Sequence, residues 1–361
     1  MNILEATRRY EKWMGSCTPT VQAHLRDKHE QMRADLFAFC RATFYRWAQQ
    51  WPDVCGELRH APRVLAVGDL HVDSFGTWRD IEGRLIWGVN DFDEAYPLPY
   101  ANDLLRLAVS AHLASEAGQL ALKGKNICAA ILDGYTEGMR TGGQPYVLSE
   151  THIWLRQIAE SELRDPVRFW AKMSALPTLK GDIPVGAVDA LEHLMPAPGI
   201  QYRLVQRVAG LGSLGHLRFV ALGEWCGGKI AREAKALAPS AVSWALGQTE
   251  PADILYQTII SRALRCPDPF VQLRARWLVR RLSPHCSRIE LATLQAPGQE
   301  LRLLHAMGWE TANIHLGTRT KRKQILSHLN KQRPKWLHEA ADDMVTAVIS
   351  DWKTWKKDGF I

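Results

Sequence analysis

A chain of 361 residues is too long for one small core and long enough for two lobes, and its 46% hydrophobic and 23% charged residues are those of an ordinary globular protein. No apolar run reaches the roughly 18–20 residues of a membrane span, and Met1–Ser16 has no long apolar core and no small-residue cleavage site, so a cytoplasmic protein without membrane contact is expected. The net charge of +7 favours anionic ligands, while seven cysteines with no C-x-x-C pair and no zinc-finger spacing argue against a disulfide framework and a zinc site.

Residues 20–51 read as helical, because Leu36, Phe37, Phe39, Cys40, Phe44 and Trp47 recur at three- and four-residue spacings, and Pro52 is expected to end the segment. Arg63–Val67 is a short apolar, β-branched run that reads as a strand, broken by Gly68-Asp69. Phe75–Arg79 and Arg84–Val89 read as two further strands around a turn at Ile81–Gly83, with Asn90–Glu94 following at once. Asn102 or Asp103 then caps a long helix whose apolar face includes Leu104, Leu107, Ala108, Ala111 and Ala114, and a second helix covers about 123–140. Residues 141–200 mix helical patches with Pro- and Gly-rich connections, with a lobe boundary expected near Met195–Gly199. Leu204–Val208 and Leu217–Leu222 read as strands around a glycine-rich turn, Glu224–Gly228 as a second turn, and Lys229–Lys235 as a third strand. From about 240 the pattern is mostly helical. The expected organisation is α+β and helix-rich: a helical N-terminal region and acidic-loop lobe over 1–200, a glycine-loop sheet over 201–240, and a helical C-terminal region over 241–361.

Two constellations carry chemistry. In the first, one strand delivers Asp69 on a tight loop, and a hairpin ends in Asp91 and Asp93, Asp91 lying 22 residues after Asp69. A hairpin of that length is expected to return both loops to one edge of the sheet, so that the carboxylates face one cleft. Phosphoryl transfer needs that pairing: one carboxylate takes or orients the acceptor hydroxyl, and another holds Mg²⁺ against phosphate oxygens. Asp69 is the candidate base and Asp91 the candidate metal ligand, with Asp93 as a second ligand or a hydrogen-bonding support. His71 is a further catalytic candidate or a partner of its own loop backbone. Turn-forming Asp residues at strand ends explain either acid taken alone.

The second constellation is G-x-G-S-x-G at Gly210, Gly212, Ser213 and Gly215, between two strand-like runs. Backbone amides in such a turn can approach phosphates because no Cβ stands in the way. A dinucleotide-binding turn is followed by a helix, whereas His216–Leu222 reads as a strand, which is the kinase arrangement. Lys229, Arg232 and Lys235 on the next strand are candidates for pairing with phosphate, and each is also explained as a solvated charge on an edge strand.

Gly68-Asp-Leu-His-Val-Asp-Ser-Phe-Gly76 resembles the catalytic loop G-D-x-H-x-x-N of aminoglycoside- and choline-kinase-like proteins, and Asn90–Ala95 resembles their metal-binding loop. With Asp103–Ala108, the glycine turn and Lys235–Ser240 added, the chain resembles the bacterial domain-of-unknown-function family 2252 over most of residues 30–320. The resemblance implies a protein-kinase-like bilobal fold. It also implies Lys235 as the lysine for a nucleotide and Asp103 as the acid that braces the catalytic loop. Two departures stand out. The acidic loops precede the glycine turn, which implies circular permutation of the kinase order. Ser74 stands where the pattern has Asn as a metal ligand, with Asp73 beside it.

The expected function is therefore an ATP- and Mg²⁺-dependent phosphotransferase acting on a hydroxyl of a small molecule or a protein. A regulatory nucleotide-binding pseudokinase and a nucleotidyl transferase that moves AMP are the alternatives. The basic run Arg319–Trp336 reads as a solvated helix face rather than a nucleic-acid patch, and His315 as a core or capping residue. Spacing does not pick out a glutamate to pair with the lysine; Glu250 is one possibility.

Overall fold

The structure, a computed structural model, describes residues 1–161, 165–248, 252–287, 289, 294 and 298–358. Four helices open it: α1 (Ile3–Cys17), α2 (Gln22–Ala34), α3 (Leu36–Ala42) and α4 (Phe44–Val54). α1 was not evident from the sequence. Asn2 caps it by accepting the Glu5 amide, and Ile3, Ala6, Tyr10 and Met14 form its buried stripe. The single helical stretch expected over 20–51 is three helices. Asp35 interrupts it in extended backbone, and its carboxylate accepts the Ala38 amide at 2.6 Å as the cap of α3. Pro52 does not end α4. It sits in the last turn, where its missing N–H removes one bond, and the Cys55 amide still reaches the Trp51 carbonyl.

Next come β1 (Arg63–Ala66), β2 (Phe75–Arg79), β3 (Leu85–Val89) and β4 (Tyr96–Pro99), then α5 (Ala101–Glu116), α6 (Gly124–Thr141) and β5 (Tyr146–Val147). β1 pairs with β4 in a two-stranded sheet, while β2, β3 and β5 form a separate three-stranded one. Asp69 and Asp91 thus leave strands of different sheets, not one shared edge as the hairpin reading expected. Behind them stand the buried faces of α5 and α6 and of two later helices, Gln299–His315 and Trp336–Asp358, in one extended core.

The chain continues through α7 (Ile153–Ser161), α8 (Pro166–Ser174) and α9 (Val185–His193) to β6 (Tyr202–Gln206), β7 (Arg218–Trp225) and β8 (Gly228–Ala236). After α10 (Ala241–Ala245) and α11 (Tyr256–Arg262) come β9 (Gln272–Arg274) and β10 (Trp277–Arg281), then α12 (Gln299–His315), α13 (Arg322–Lys331) and α14 (Trp336–Asp358). β9 and β10 correct the expectation of helix alone beyond 240: the short apolar run Trp277-Leu-Val279 pairs with Ala234–Ala236 of β8. Strands β6-β7-β8-β10-β9, in that order, make an antiparallel five-stranded sheet. β7 and β8 join through Cys226 (φ 48°) and Gly227 (φ 79°), the pair of positive φ values that a type I′ turn requires.

This sheet has two faces of different character. Phe219, Ala221, Ala234 and Val279 point to one side, where α9 covers them with Ala187 and Leu191. On the other side Val220 and Ala231 meet Phe169 and Met173 of α8. The same side carries Arg218, Glu233, Lys235 and Arg280, which lie at its other end and look toward the acidic loops. The sheet and the helices packed on it run from α8 to β10. The architecture is α+β and helix-rich. Among the described residues no helix is long and apolar enough to cross a membrane. The basic run Arg319–Trp336 spans α13, where Arg322 donates to the Met139 and Arg140 carbonyls.

Candidate active site

β1 runs into Gly68, whose φ of +84° an L side chain rarely adopts and where a Cβ would collide with the Glu94 carbonyl oxygen. The turn is held from below. The Val67 and Gly68 amides donate to Asp103 Oδ2 and Oδ1 at 2.7 and 3.0 Å, and Asn102 Nδ2 donates to the Gly68 carbonyl at 3.1 Å. Neither residue caps α5, as the sequence suggested; Tyr100 holds that position without a side-chain bond. Both sit inside the first turn, and their polar atoms satisfy the loop instead of the helix. His315 Nε2–H donates to Asp103 Oδ2 at 2.9 Å, and its Nδ1 accepts from the Tyr135 hydroxyl at 2.9 Å. All three side chains are buried, which places His315 in the core and away from the cavity.

Asp69 projects from this turn. Its Oδ1 accepts from Arg106 Nε at 2.9 Å and Nη2 at 2.8 Å. Arg106 is 1% exposed, stacks 4.8 Å over the Trp47 ring and also donates to the Cys40 carbonyl, so the Asp69 side chain is held by a rigid, buried cation. Burial pushes the Asp69 carboxyl up, against the pull of Arg106, and so makes it a better proton acceptor than a free carboxylate. Sequence reading passed over Arg106, although one arginine inside the apolar face Leu104–Ala108 was a signal of a buried partner.

The second acidic loop interlocks with the segment after β8. Lys235 Nζ forms an ion pair with Asp93 Oδ2, and Glu94 Oε2 accepts from Ser240 Oγ at 2.8 Å and from the Ala241 amide at 2.7 Å. Two stretches about 140 residues apart are therefore one structural unit. Burial raises the Asp93 pKa, Lys235 opposing and Asp91 assisting. Burial also pushes Glu94 up to about 8. Of the three cations proposed for phosphate, Lys235 alone reaches this unit. Lys229 donates to Ser174 Oγ at 3.2 Å at the far end of the strand, and Arg232 points to the opposite face, bonded to the Leu194 carbonyl at 2.8 Å. Glu250 lies outside the described residues.

Asp69, His71, Asp91 and Asp93 line a narrow cavity of about 70 Å³, and Gly210, Gly212 and Ser213 line it from the sheet side. Lys28 and Arg41 of the N-terminal helices close it. A much larger cavity of about 970 Å³ adjoins it; Asp91, Gly210 and Ser213 line both, and Lys235 lines the larger. Besides Lys229, Arg232 and the bracing Asp103, Ser74 and Gly215 line neither cavity. Ser74 Oγ accepts the His71 amide at 3.1 Å and donates to the Asp69 carbonyl, wholly buried in its own loop. Its neighbour Asp73 pairs with Arg41 at 2.7 Å. Gly215 (φ +102°) packs against Leu25 of α2, so it serves helix docking. Within the turn the Ser213, Leu214 and His216 amides bond back to Gly210, Leu211 and Ser213. Among the described residues the Gly210, Leu211 and Gly212 amides have no such acceptor.

No three His, Cys, Asp or Glu side chains converge among the described residues. Asp69, Asp91, Asp93 and Glu94 line the cavity; Arg106 holds Asp69, and Ser240 and the Ala241 amide hold Glu94, while Asp93 Oδ1 is buried without a hydrogen-bond partner beside Asp91. That donor set fits Mg²⁺, which takes one or two protein carboxylates and fills its remaining positions with water and phosphate oxygens.

Residues 20–172 match the family model described as an uncharacterized protein conserved in bacteria (DUF2252). The match takes in Asp69, Asp91 and Asp103 and stops short of the glycine turn and Lys235, a narrower span than the expected 30–320. Neither a curated protein nor a solved structure matches the chain.

Proposed function

We propose that this chain is an ATP-dependent phosphotransferase of the kinase-like class, with its two lobes in permuted order, acting on a hydroxyl of a small molecule or a protein. One observation carries the reading: the acidic loops and the glycine turn, separated by more than a hundred residues, line the same cavity. Asp69, held by Arg106 and raised in pKa by burial, accepts the acceptor's hydroxyl proton. Asp91 and Asp93 Oδ1 would hold Mg²⁺, which supplies charge neutralisation at the transferring phosphoryl group. Lys235 and the Gly210–Gly212 amides supply donors to phosphate oxygens. Asp103 acts through the loop backbone and keeps Asp69 in place.

Incubation with γ-labelled ATP tests this. Asp69→Asn is expected to lower label transfer by roughly 10²-fold or more and to change ATP affinity little, as expected of a general base. Full transfer by that variant contradicts the role given to Asp69. The inward-turned Ser74 favours a second reading, a pseudokinase that binds nucleotide without turnover. In that case ATP binds and no acceptor gains label. Label transferred from the α-position instead identifies nucleotidyl transfer.

A further inference from the structure

The larger cavity holds more positive charge than its own acids balance. Glu233 on β8 is wholly buried, and three guanidinium groups converge on its carboxylate. Arg207 Nη1 donates to Oε2 at 2.7 Å, Arg218 Nη1 to Oε1 at 2.8 Å, and Arg280 Nε and Nη2 to Oε1 at 2.8 and 2.7 Å. Strand register puts them there: Arg280 is the direct cross-strand partner of Glu233, Arg218 lies diagonally across from it on β7, and Arg207 follows the end of β6. One carboxylate neutralises one of the three. Holding the other two positive charges beside it costs repulsion and desolvation, which an anionic ligand relieves.

The donor count points the same way. A guanidinium carries about five N–H donors in a planar fork suited to phosphate. Glu233 takes four from the three groups together, and Ser213 Oγ takes one from Arg218 Nη2 at 2.8 Å. All three arginines line the cavity of about 970 Å³, and the Ser213 bond ties the cluster to the glycine turn where that cavity meets Asp91. A network serving the fold alone has no need of surplus charge on a cavity wall.

We propose that Arg207, Arg218 and Arg280, gathered on Glu233, bind a linear polyphosphate chain, either the triphosphate of a nucleotide or a free inorganic chain. The choice of ATP as its source rests on the phosphotransferase reading; the polyphosphate site does not. Glu233 is a positioning residue that sets the three forks and keeps their mutual repulsion from unfolding the sheet.

Calorimetric titration of the full chain with inorganic tripolyphosphate, and separately with ATP, both without Mg²⁺, tests the site. The wild type is expected to bind, more weakly as KCl is raised. Arg207→Ala and Arg280→Ala each lower affinity roughly tenfold or more, the loss of a charge-assisted contact. Arg280→Lys keeps the charge without the fork and guards against misfolding; it weakens binding less than Arg280→Ala. Lys229→Ala, at the far end of the strand, binds as the wild type does. Tighter binding of ATP than of tripolyphosphate identifies a nucleotide, and equal binding a free chain. Absence of tripolyphosphate binding, or wild-type affinity in both Arg280 variants, overturns the site. If ATP binds and transfers label while the arginine variants bind it normally, the triad alone is wrong. If the triad binds and the wild type transfers no label, the phosphotransferase reading alone is wrong.

Discussion

Glu310 shows how single residues near the site are tuned. Its Oε1 accepts the Val89 amide at 3.3 Å and its Oε2 accepts from Asn313 Nδ2 at 2.8 Å, while Gly88 leaves the room its carboxyl needs. Burial raises its pKa to about 7, although Asn313, Arg265 and the Val89 amide all pull it down. In the unfolded chain the same group titrates near 4.5. Between those values the native state keeps the proton and the unfolded state has released it, so this carboxyl makes stability fall as pH rises from about 4.5 to about 7. Glu310→Gln removes the titration, and its melting temperature, followed from pH 4.5 to 7.5, is expected to decline less than that of the wild type. Identical slopes would show that the carboxyl titrates alike in the native and unfolded chains. Residue roles differ in how far the sequence reveals them. Asp69, Asp91 and Asp93 stand out because local turn chemistry isolates them. Glu233, Arg280 and Lys28 do not, because their meaning comes from strand register and helix docking that no local window contains.

At the scale of elements, Asp103 of α5 holds the Val67–Gly68 turn, and His315 of α12 holds Asp103. Asp103→Ala would leave the Val67 and Gly68 amides and His315 Nε2 without their acceptor in a buried site. At about 1–3 kcal/mol for each unmet donor, a loss of about 3 kcal/mol or more is expected from urea denaturation. Asp103→Asn retains one accepting oxygen and recovers part of it. A loss below about 1 kcal/mol in the alanine variant would mean that water replaces the carboxylate. The strands flanking both motifs were legible, since β-branched and apolar runs bounded by Gly and Asp have few other solutions. β4, with two prolines, and the three-residue β9 gave no such signal. The helices over 20–51 merged in the sequence because their buried faces nearly align across the breaks at Asp35 and Thr43.

At the scale of the molecule, the sheet unit from α8 to β10 meets the helical core across two adjoining cavities, and every residue assigned to chemistry faces that junction. The central strand β8 pairs on one side with β10, some forty residues later in the chain, a pairing that no local window of sequence contains. Composition gave the overall basic charge but not its concentration on one cavity wall. The narrow cavity beside Asp69 is lined by residues of α1–α4, among them Tyr10, Lys28, Arg41 and Tyr45.

The decisive experiment is a crystal structure of the chain with Mg²⁺ and a non-hydrolysable ATP analogue. A triphosphate is expected between the Gly210–Ser213 turn and Asp91, with the metal on the Asp91 and Asp93 carboxylates. A nucleotide bound elsewhere, or none at saturating concentration, would contradict it.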